Sequence, residues 1–295
     1  MKVSGFTFIR NAILFDYPIV ESIQSILPLC DEMIVAVGQS EDETRDLIAK
    51  IDSTKIKIID TIWDDDLREG GQVLAVETDK AFKAVAIDSD WAFYLQGDEI
   101  VHEKYLPTIK KAMIKYQDDA KVDGLLFKYL HFYGSYDYIG LSSNWYKNEI
   151  RVIKNNASIY SYRDAQGFRK GKNEKLNVVA IDAYIYHYGW VKPPATMQRK
   201  QLNFNKLWHN DEWVEHHIEK VKEYDYQANV SELARFKEDH PQVMRERISK
   251  TNWEFEHDIA FNKRKLKDRF KSLAIKILGI DFNYKNYHLV EKDKS

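Results

Sequence analysis

The chain is poor in residues that staple or punctuate a fold. One of its 295 residues is a cysteine, Cys30. An intrachain disulfide and a cysteine-rich zinc cluster are therefore excluded, and a reducing compartment is the simplest setting. Only 12 glycines and 6 prolines are present, which rules out collagen-like and low-complexity architectures. No stretch approaches the ~20 uncharged apolar residues of a spanning helix. In MKVSGFTFIRNAILFDYP, Arg10, Asn11 and Asp16 interrupt any signal-peptide core. An excess of one charge is missing too: 44 basic against 46 acidic residues leave −2, so the surface is not wholly committed to nucleic acid. What remains, 44% apolar and 31% charged, is the composition of an ordered globular protein. Its length is near that at which a single core stops growing and an appended piece is expected.

The pattern along the chain alternates. VSGFTFIRN (Val3 to Asn11), MIVAVG (Met33 to Gly38), KIKIID (Lys55 to Asp60) and DWAFYLQ (Asp90 to Gln96) read as strands. Between them, Asp16 to Leu29, the segment after Ser40 and Gly70 to Val85 read as helices, with Ser40 and Glu43 spaced as a capping box. Strand and helix in alternation predict an α/β fold: right-handed crossovers and a parallel sheet covered on both faces. From Lys121 the texture changes. VDGLLFKYLHFYG and EIRVIKN predict an antiparallel extension, joined by the aromatic, polar SYDYIGLSSNWYKN. Val178 to Pro194 is one more strand, and helices are expected over Thr196 to Val221 and Pro241 to Leu278.

The fourth strand runs as FYLQGDEIV straight into Asp98 and Glu99. Ligands of such sheets bind beyond the carboxyl ends of the strands. The acidic turn has two readings, a solvated turn or a metal site at the mouth of the sheet. FTFIRNA, IVAVGQSEDETRDL and LQGDEI, followed by IRVIKN, SYRDAQGF and IYHYGWVKPP, resemble in order and spacing the family 2 glycosyltransferases of the GT-A fold. The resemblance is clearest over roughly the first hundred residues. It implies a GT-A catalytic domain over 1–195, with a nucleotide-sugar half to about 120 and an acceptor half beyond it, and a helical C-terminal extension over 196–295. It also implies transfer of a sugar from a nucleotide-diphosphate donor to an acceptor hydroxyl, with inversion and with Mn²⁺ or Mg²⁺, in cell-surface glycan or polysaccharide synthesis.

By the same resemblance Asp98 is the metal-binding acid, since a leaving diphosphate needs a hard cation held by a carboxylate. His187 corresponds to a histidine that in some relatives is a third metal ligand or a diphosphate contact. Gln96 stands where the family has the first acid of Asp-x-Asp, and Val37 where it often has an Asp that reads the base. Lys200 matches a basic residue beside the diphosphate; Phe8, Arg10 and Asn11 border the nucleotide, with Asp42 in the adjoining turn. Asp164 is the leading general base, with Glu149 and Asp182 as fallbacks. Trp145 and Tyr146 are candidate stacking surfaces for an acceptor sugar.

Each assignment has a plainer counterpart. Asp164 is equally an N-cap or turn acid, His187 a core histidine between tyrosines, and Trp145 and Tyr146 packing residues. Lys263 to Leu278, basic and amphipathic, fits either a tail helix packed on the catalytic domain or a peripheral contact at the inner face of a membrane, near lipid-linked acceptors. The absence of a glycine-rich loop after the first strand argues against nucleotidyl transfer. Glycoside hydrolysis would need two facing carboxylates. An inactive sugar- or nucleotide-binding or scaffolding relative is the non-enzymatic alternative.

Overall fold

The computed structural model describes residues 1–67, 70–142, 145–217, 221–230, 232–260 and 285–290. The predicted alternation is present at the N-terminus. β1 (Val3–Ile9), α1 (Ile19–Ile26), β2 (Glu32–Gly38), α2 (Thr44–Ala49), β3 (Ile56–Thr61), α3 (Gln72–Lys83) and β4 (Trp91–Tyr94) follow one another. β1 lies between β2 and β4, and β2 between β1 and β3, all parallel. The period of two divides their side chains between two cores. Phe6, Phe8, Ile34, Ala36 and Tyr94 meet Val73, Leu74 and Phe82 of α3. Met33, Val35, Trp91 and Phe93 meet Ile19, Ile23 and Ile26, which α1 presents at i, i+4 and i+7. Burial on both faces explains the unbroken apolar run of β2. Each such side chain taken fully out of water contributes roughly 1.5–3 kcal/mol.

The capping box does not form. α2 starts at Thr44 with Glu43 as an N-cap that makes no side-chain capping bond. Ser40 Oγ instead accepts from Asn11 N (3.0 Å) and donates to Gly38 O (2.9 Å), so its hydroxyl joins the loops after β1 and β2.

After β4 come the short β5 (Glu99–Val101), α4 (Leu106–Tyr116), β6 (Gly124–Tyr133), β7 (Tyr138–Gly140) and β8 (Asn148–Lys154). SYRDAQGF forms a hairpin, β9 (Ile159–Tyr162) and β10 (Gly167–Lys170), and the predicted last strand is the 17-residue β11 (Glu174–Trp190). The main path of the sheet is β3–β2–β1–β4–β8–β6–β11–β10–β9. β8 is antiparallel to both β4 and β6, β6 is parallel to β11, and β5 adds antiparallel to β11. The result is the mixed α/β architecture expected of a GT-A fold.

Beyond residue 193 the described residues are less helical than expected. α5 (Pro194–Lys206) and α6 (Asp211–His217) are followed by β12 (Leu233–Arg235), which pairs with β7. Of the helix expected from Pro241, the structure holds a 3-10 turn at Gln242–Met244 and the five-residue α7 (Arg245–Ser249); residues 251–258 have no regular structure. β13 (Tyr287–Leu289) returns to the sheet beside β11. The basic stretch Lys263 to Leu278 lies outside the described residues.

Candidate active site

The two acids after β4 go to different places. Glu99 begins β5 and is fully buried, where Arg151 grips it with two bonds (Nε to Oε2 and Nη2 to Oε1, both 2.7 Å). Tyr129 Oη donates to Oε1 (2.8 Å) and the backbone N of Gln96 to Oε2 (3.1 Å). Glu99 is thus the anchor of the turn. Asp98, its neighbour, points the other way into a cleft of about 480 Å³ at the ends of β1 and β4. That volume lies within the range of small-molecule sites.

β5 brings Asp98 to β11. Glu99 is in register with His187, and Tyr188 N donates to Asp98 O (2.8 Å). His187 Nε2 lies 3.7 Å from Asp98 Oδ1, and Lys200 Nζ of α5 lies 3.4 Å from Oδ2 while donating to Gly189 O (2.8 Å). Gly189 is needed here for space: a Cβ would come within 2.6 Å of Asp98 Oδ2 and 2.7 Å of His187 Nε2. Burial works against the Asp98 carboxylate, but His187 whenever it is protonated, together with Lys200 and Lys192, outweighs it and holds it below the usual carboxylate range. Burial pushes His187 down more than Asp98 raises it, so the ring is neutral at pH 7 and the nearest standing charge is that of Lys200. Lys192 is fully buried, donates to Asp16 O (2.6 Å) and is pushed down to about 7 by that burial. The Lys192 and Lys200 ammonium groups lie 4.5 and 5.0 Å from the Tyr17 ring centre.

A divalent ion fits this arrangement. A carboxylate oxygen and a neutral imidazole nitrogen 3.7 Å apart can share an ion at ligand distances of about 2.0–2.2 Å. Among the described residues no group of three or more His, Cys, Asp or Glu side chains forms a metal cage. Two protein ligands suit Mg²⁺ or Mn²⁺ completed by substrate phosphates and water.

Asp164 lines the same cleft from the β9–β10 turn, flanked by two non-glycine residues in the left-handed region, Arg163 (φ 56°) and Ala165 (φ 62°). That conformation costs roughly 1–2 kcal/mol per residue. Gln96 Nε2 donates to Ala165 O (3.3 Å), tying this turn to the Asp98 turn. Burial raises Asp164 above the ordinary aspartate value, with backbone N–H bonds and Arg163 opposing.

The two fallback acids sit elsewhere. Asp182 is exposed and paired with Lys128 (2.7 Å). Glu149 lies behind the wall, 2.9 Å from Gln166 Nε2, and burial pushes it up to about 8. Between the ordinary glutamate value and about 8 the native state therefore holds a proton that the unfolded chain has released, and stability falls as pH rises through that window. Glu149→Gln is expected to match the parent at pH 4 and to exceed it by up to a few kcal/mol at pH 9, read as a rise in Tm.

At the other end of the cleft Phe8, Arg10, Asn11 and Trp63 form a wall. Phe8 and Trp63 have ring centroids 5.8 Å apart, and the Arg10 guanidinium lies 5.6 Å from the Trp63 ring while bonding Asp65 (2.8 Å). Trp63 packs on Gly38, filling the place where a Cβ would sit beside Val37. Asn11 Oδ1 accepts from Glu41 N (2.7 Å). Asp42 does not line the cleft; it accepts from Leu14 N (2.7 Å) and Thr44 N (3.0 Å) and so staples two loops. Tyr146 lines the cleft, whereas Trp145 lies behind it, stacked on His131 at 5.0 Å. Tyr17, Trp63 and Trp190, together with Gln201 and Phe204 on or beside α5, are wall residues that the motifs did not single out. Trp63 follows β3 in an acidic loop with no periodic signal, and α5, although expected as a helix, carries no local signal that it folds back onto the cleft.

No protein-family model matches the chain, and no curated protein matches it. Among solved structures it is similar to S. aureus TarS 1–349, at 15% identity and TM-score 0.43 over 69% of this chain and 64% of that one. It is also similar to 4-diphosphocytidyl-2C-methyl-D-erythritol synthase of Anaerococcus prevotii, at 13% identity and TM-score 0.38 over 69% and 94%. A third is glucosyl-3-phosphoglycerate synthase of Mycobacterium tuberculosis with Mn²⁺, UDP and phosphoglyceric acid, at 18% identity and TM-score 0.30 over 44% and 43%. The chain spans less than two thirds of the length of the TarS fragment and of the mycobacterial enzyme.

Proposed function

We propose that this chain is a glycosyltransferase that moves a sugar from a nucleoside-diphosphate donor to an acceptor hydroxyl, with inversion and metal assistance, in the assembly of a cell-surface glycan or polysaccharide. The observation that carries the reading is the meeting of Asp98, His187 and Lys200 at the carboxyl end of β4. Phe8, Arg10, Asn11 and Trp63 border the nucleoside, and Asp98 with Lys200 faces the diphosphate. Asp98 and His187 would hold the Mn²⁺ or Mg²⁺, which when bound supplies charge neutralisation for the leaving diphosphate. Lys200, on a helix rather than the sheet, adds a point charge to the same oxygens.

Asp164 takes the proton of the acceptor hydroxyl as that oxygen attacks the anomeric carbon from the face away from the diphosphate. Its proton affinity, raised by burial, suits a group that must accept a proton. Tyr146 and Trp190 line the cleft and are the aromatic side chains on which an acceptor sugar would pack. Among the described residues no helix is long and apolar enough to cross a membrane. An acceptor carried on a lipid would be met at the membrane surface.

Thermal shift with a panel of nucleoside diphosphates and Mn²⁺ tests the binding half; a ligand at a hundred times its Kd adds about 2.7 kcal/mol to stability. Silence across the panel would overturn the reading. For the chemistry, Asp164→Asn is expected to lower kcat by roughly 10²- to 10⁴-fold while the nucleotide-induced shift stays as in the parent. One observation favours the binding-only alternative: the Gln96 amide is already engaged by Ala165 O. That alternative predicts the same shift with no turnover in the parent and no change on Asp164→Asn.

A further inference from the structure

His131 of β6 and His187 of β11 are register partners in parallel strands, with their Nδ1 atoms 3.0 Å apart. His131 Nε2 is 2.7 Å from the backbone O of Tyr146. A carbonyl only accepts, so Nε2 of His131 carries hydrogen. A neutral imidazole has one N–H, which leaves a lone pair on His131 Nδ1, and the facing Nδ1 of His187 must donate to it. The single N–H of His187 is then used, and its Nε2 turns a bare lone pair toward Asp98 Oδ1, 3.7 Å away. Both rings are buried, at 3% and 8% exposure, which disfavours a second proton on either.

We infer that His131 is a positioning residue: by accepting the Nδ1–H of His187 it fixes the tautomer whose Nε2 lone pair faces Asp98, and so keeps the gap between them open to a cation. Two acceptors facing each other in a buried space repel unless a positive charge lies between them. Without His131 the proton is free to move to Nε2 and donate to Asp98, which closes the gap. The His131 ring is itself held, stacked on Trp145 (centroids 5.0 Å, 25°) and on Tyr129 (5.4 Å, 24°). Trp145, the expected acceptor platform, acts here through His131. Outer partners of this kind orient a ligating imidazole and change metal affinity by about 10- to 100-fold. The identity of the cation rests on the function proposed above; the tautomer does not.

The test uses ¹⁵N-histidine-labelled full-length protein and Mn²⁺ titrated with and without UDP, followed by electron paramagnetic resonance. In the parent, nitrogen shifts should report Nε2–H for His131 and Nδ1–H for His187; Nε2–H at His187 would overturn the inference at once. His131→Phe keeps the stacked ring but not its nitrogens, and is expected to switch His187 to Nε2–H and weaken Mn²⁺ about 10- to 100-fold. His131→Gln can still donate to Tyr146 O and accept from His187, and is expected to stay within about threefold of the parent. Equal loss in the two variants, or an unchanged His187 tautomer in folded His131→Phe, would show that the ring matters only as packing. Failure of the parent to bind Mn²⁺ or UDP would instead count against the proposed function, leaving the nitrogen shifts to decide the role of His131.

Discussion

Asparagine at position 98 is expected to lower sugar transfer by roughly a hundred- to a thousandfold, measured as nucleoside diphosphate released in Mn²⁺ buffer. The estimate follows from the several kcal/mol that a positioned cation contributes to a transition state and the ~1.4 kcal/mol per decade of rate. The substitution keeps the shape above Gly189 and removes one charge. Lys200, 3.4 Å away, then loses its carboxylate partner and, being buried, favours its neutral form. Both positive charges at the diphosphate are weakened by one change, so KM for the donor should rise together with the fall in kcat. An Asp98→Asn enzyme with rate and Mn²⁺ dependence within threefold of the parent would remove the basis of the proposed function.

The second large effect is on stability. Arg151 and Glu99 are both fully buried, and Arg151→Met would strand the Glu99 carboxylate among the Tyr129 hydroxyl, the Gln96 amide and hydrocarbon. Breaking a buried pair from one side costs about 3–5 kcal/mol. Arg151→Met is therefore expected to lower Tm by about 10 °C, at roughly 2–4 °C per kcal/mol for a domain of this size. Removing both charges together, as Glu99→Leu with Arg151→Met, should recover most of the loss, because the uncompensated charge is gone. Calorimetry of the parent and the two variants decides it. A double variant as unstable as Arg151→Met would mean that packing and not charge sets the cost. Because Glu99 shapes the turn that presents Asp98, the double variant should remain less active than its stability alone would imply.

The parallel half of the fold was readable because its determinants are local. Apolar runs of strand length, helical spacing such as Ile19, Ile23 and Ile26, and the break at Gly97 lie within single windows of sequence. Asp98 could be placed at a strand end for the same reason. The remaining parts of the site depend on distant partners. Glu99 and Arg151 are 52 positions apart, and His131 and His187 are 56 apart. The capping-box spacing at Ser40 was real, but its hydroxyl is captured by Asn11, 29 residues earlier, so tertiary contact overrode a local motif. In YIYHYGW a period of two was present and carried more than the expectation took from it. Tyr184, Tyr186 and Tyr188 go to one packed cluster, while His187 and Gly189 come up together on the opposite face, at the cleft. Of the helix expected from Pro241, residues 251–258 depart most: long-range contacts such as Phe255 against Tyr133 and Tyr138 fix this charged segment without regular structure.

The short pairing of β5 with β11 mounts Asp98 and His187 on one sheet, through adjoining strands joined by backbone bonds. Lys200 belongs to another element, the helix α5, which starts at Pro194 with Pro193 as its N-cap. The aspartate–histidine separation is therefore set by strand pairing, whereas the reach of the lysine to Asp98 is set by where α5 packs and by the bond from Lys200 Nζ to Gly189 O. A change in the few residues joining β11 to α5 would accordingly reposition Lys200 while leaving the Asp98–His187 gap as it is.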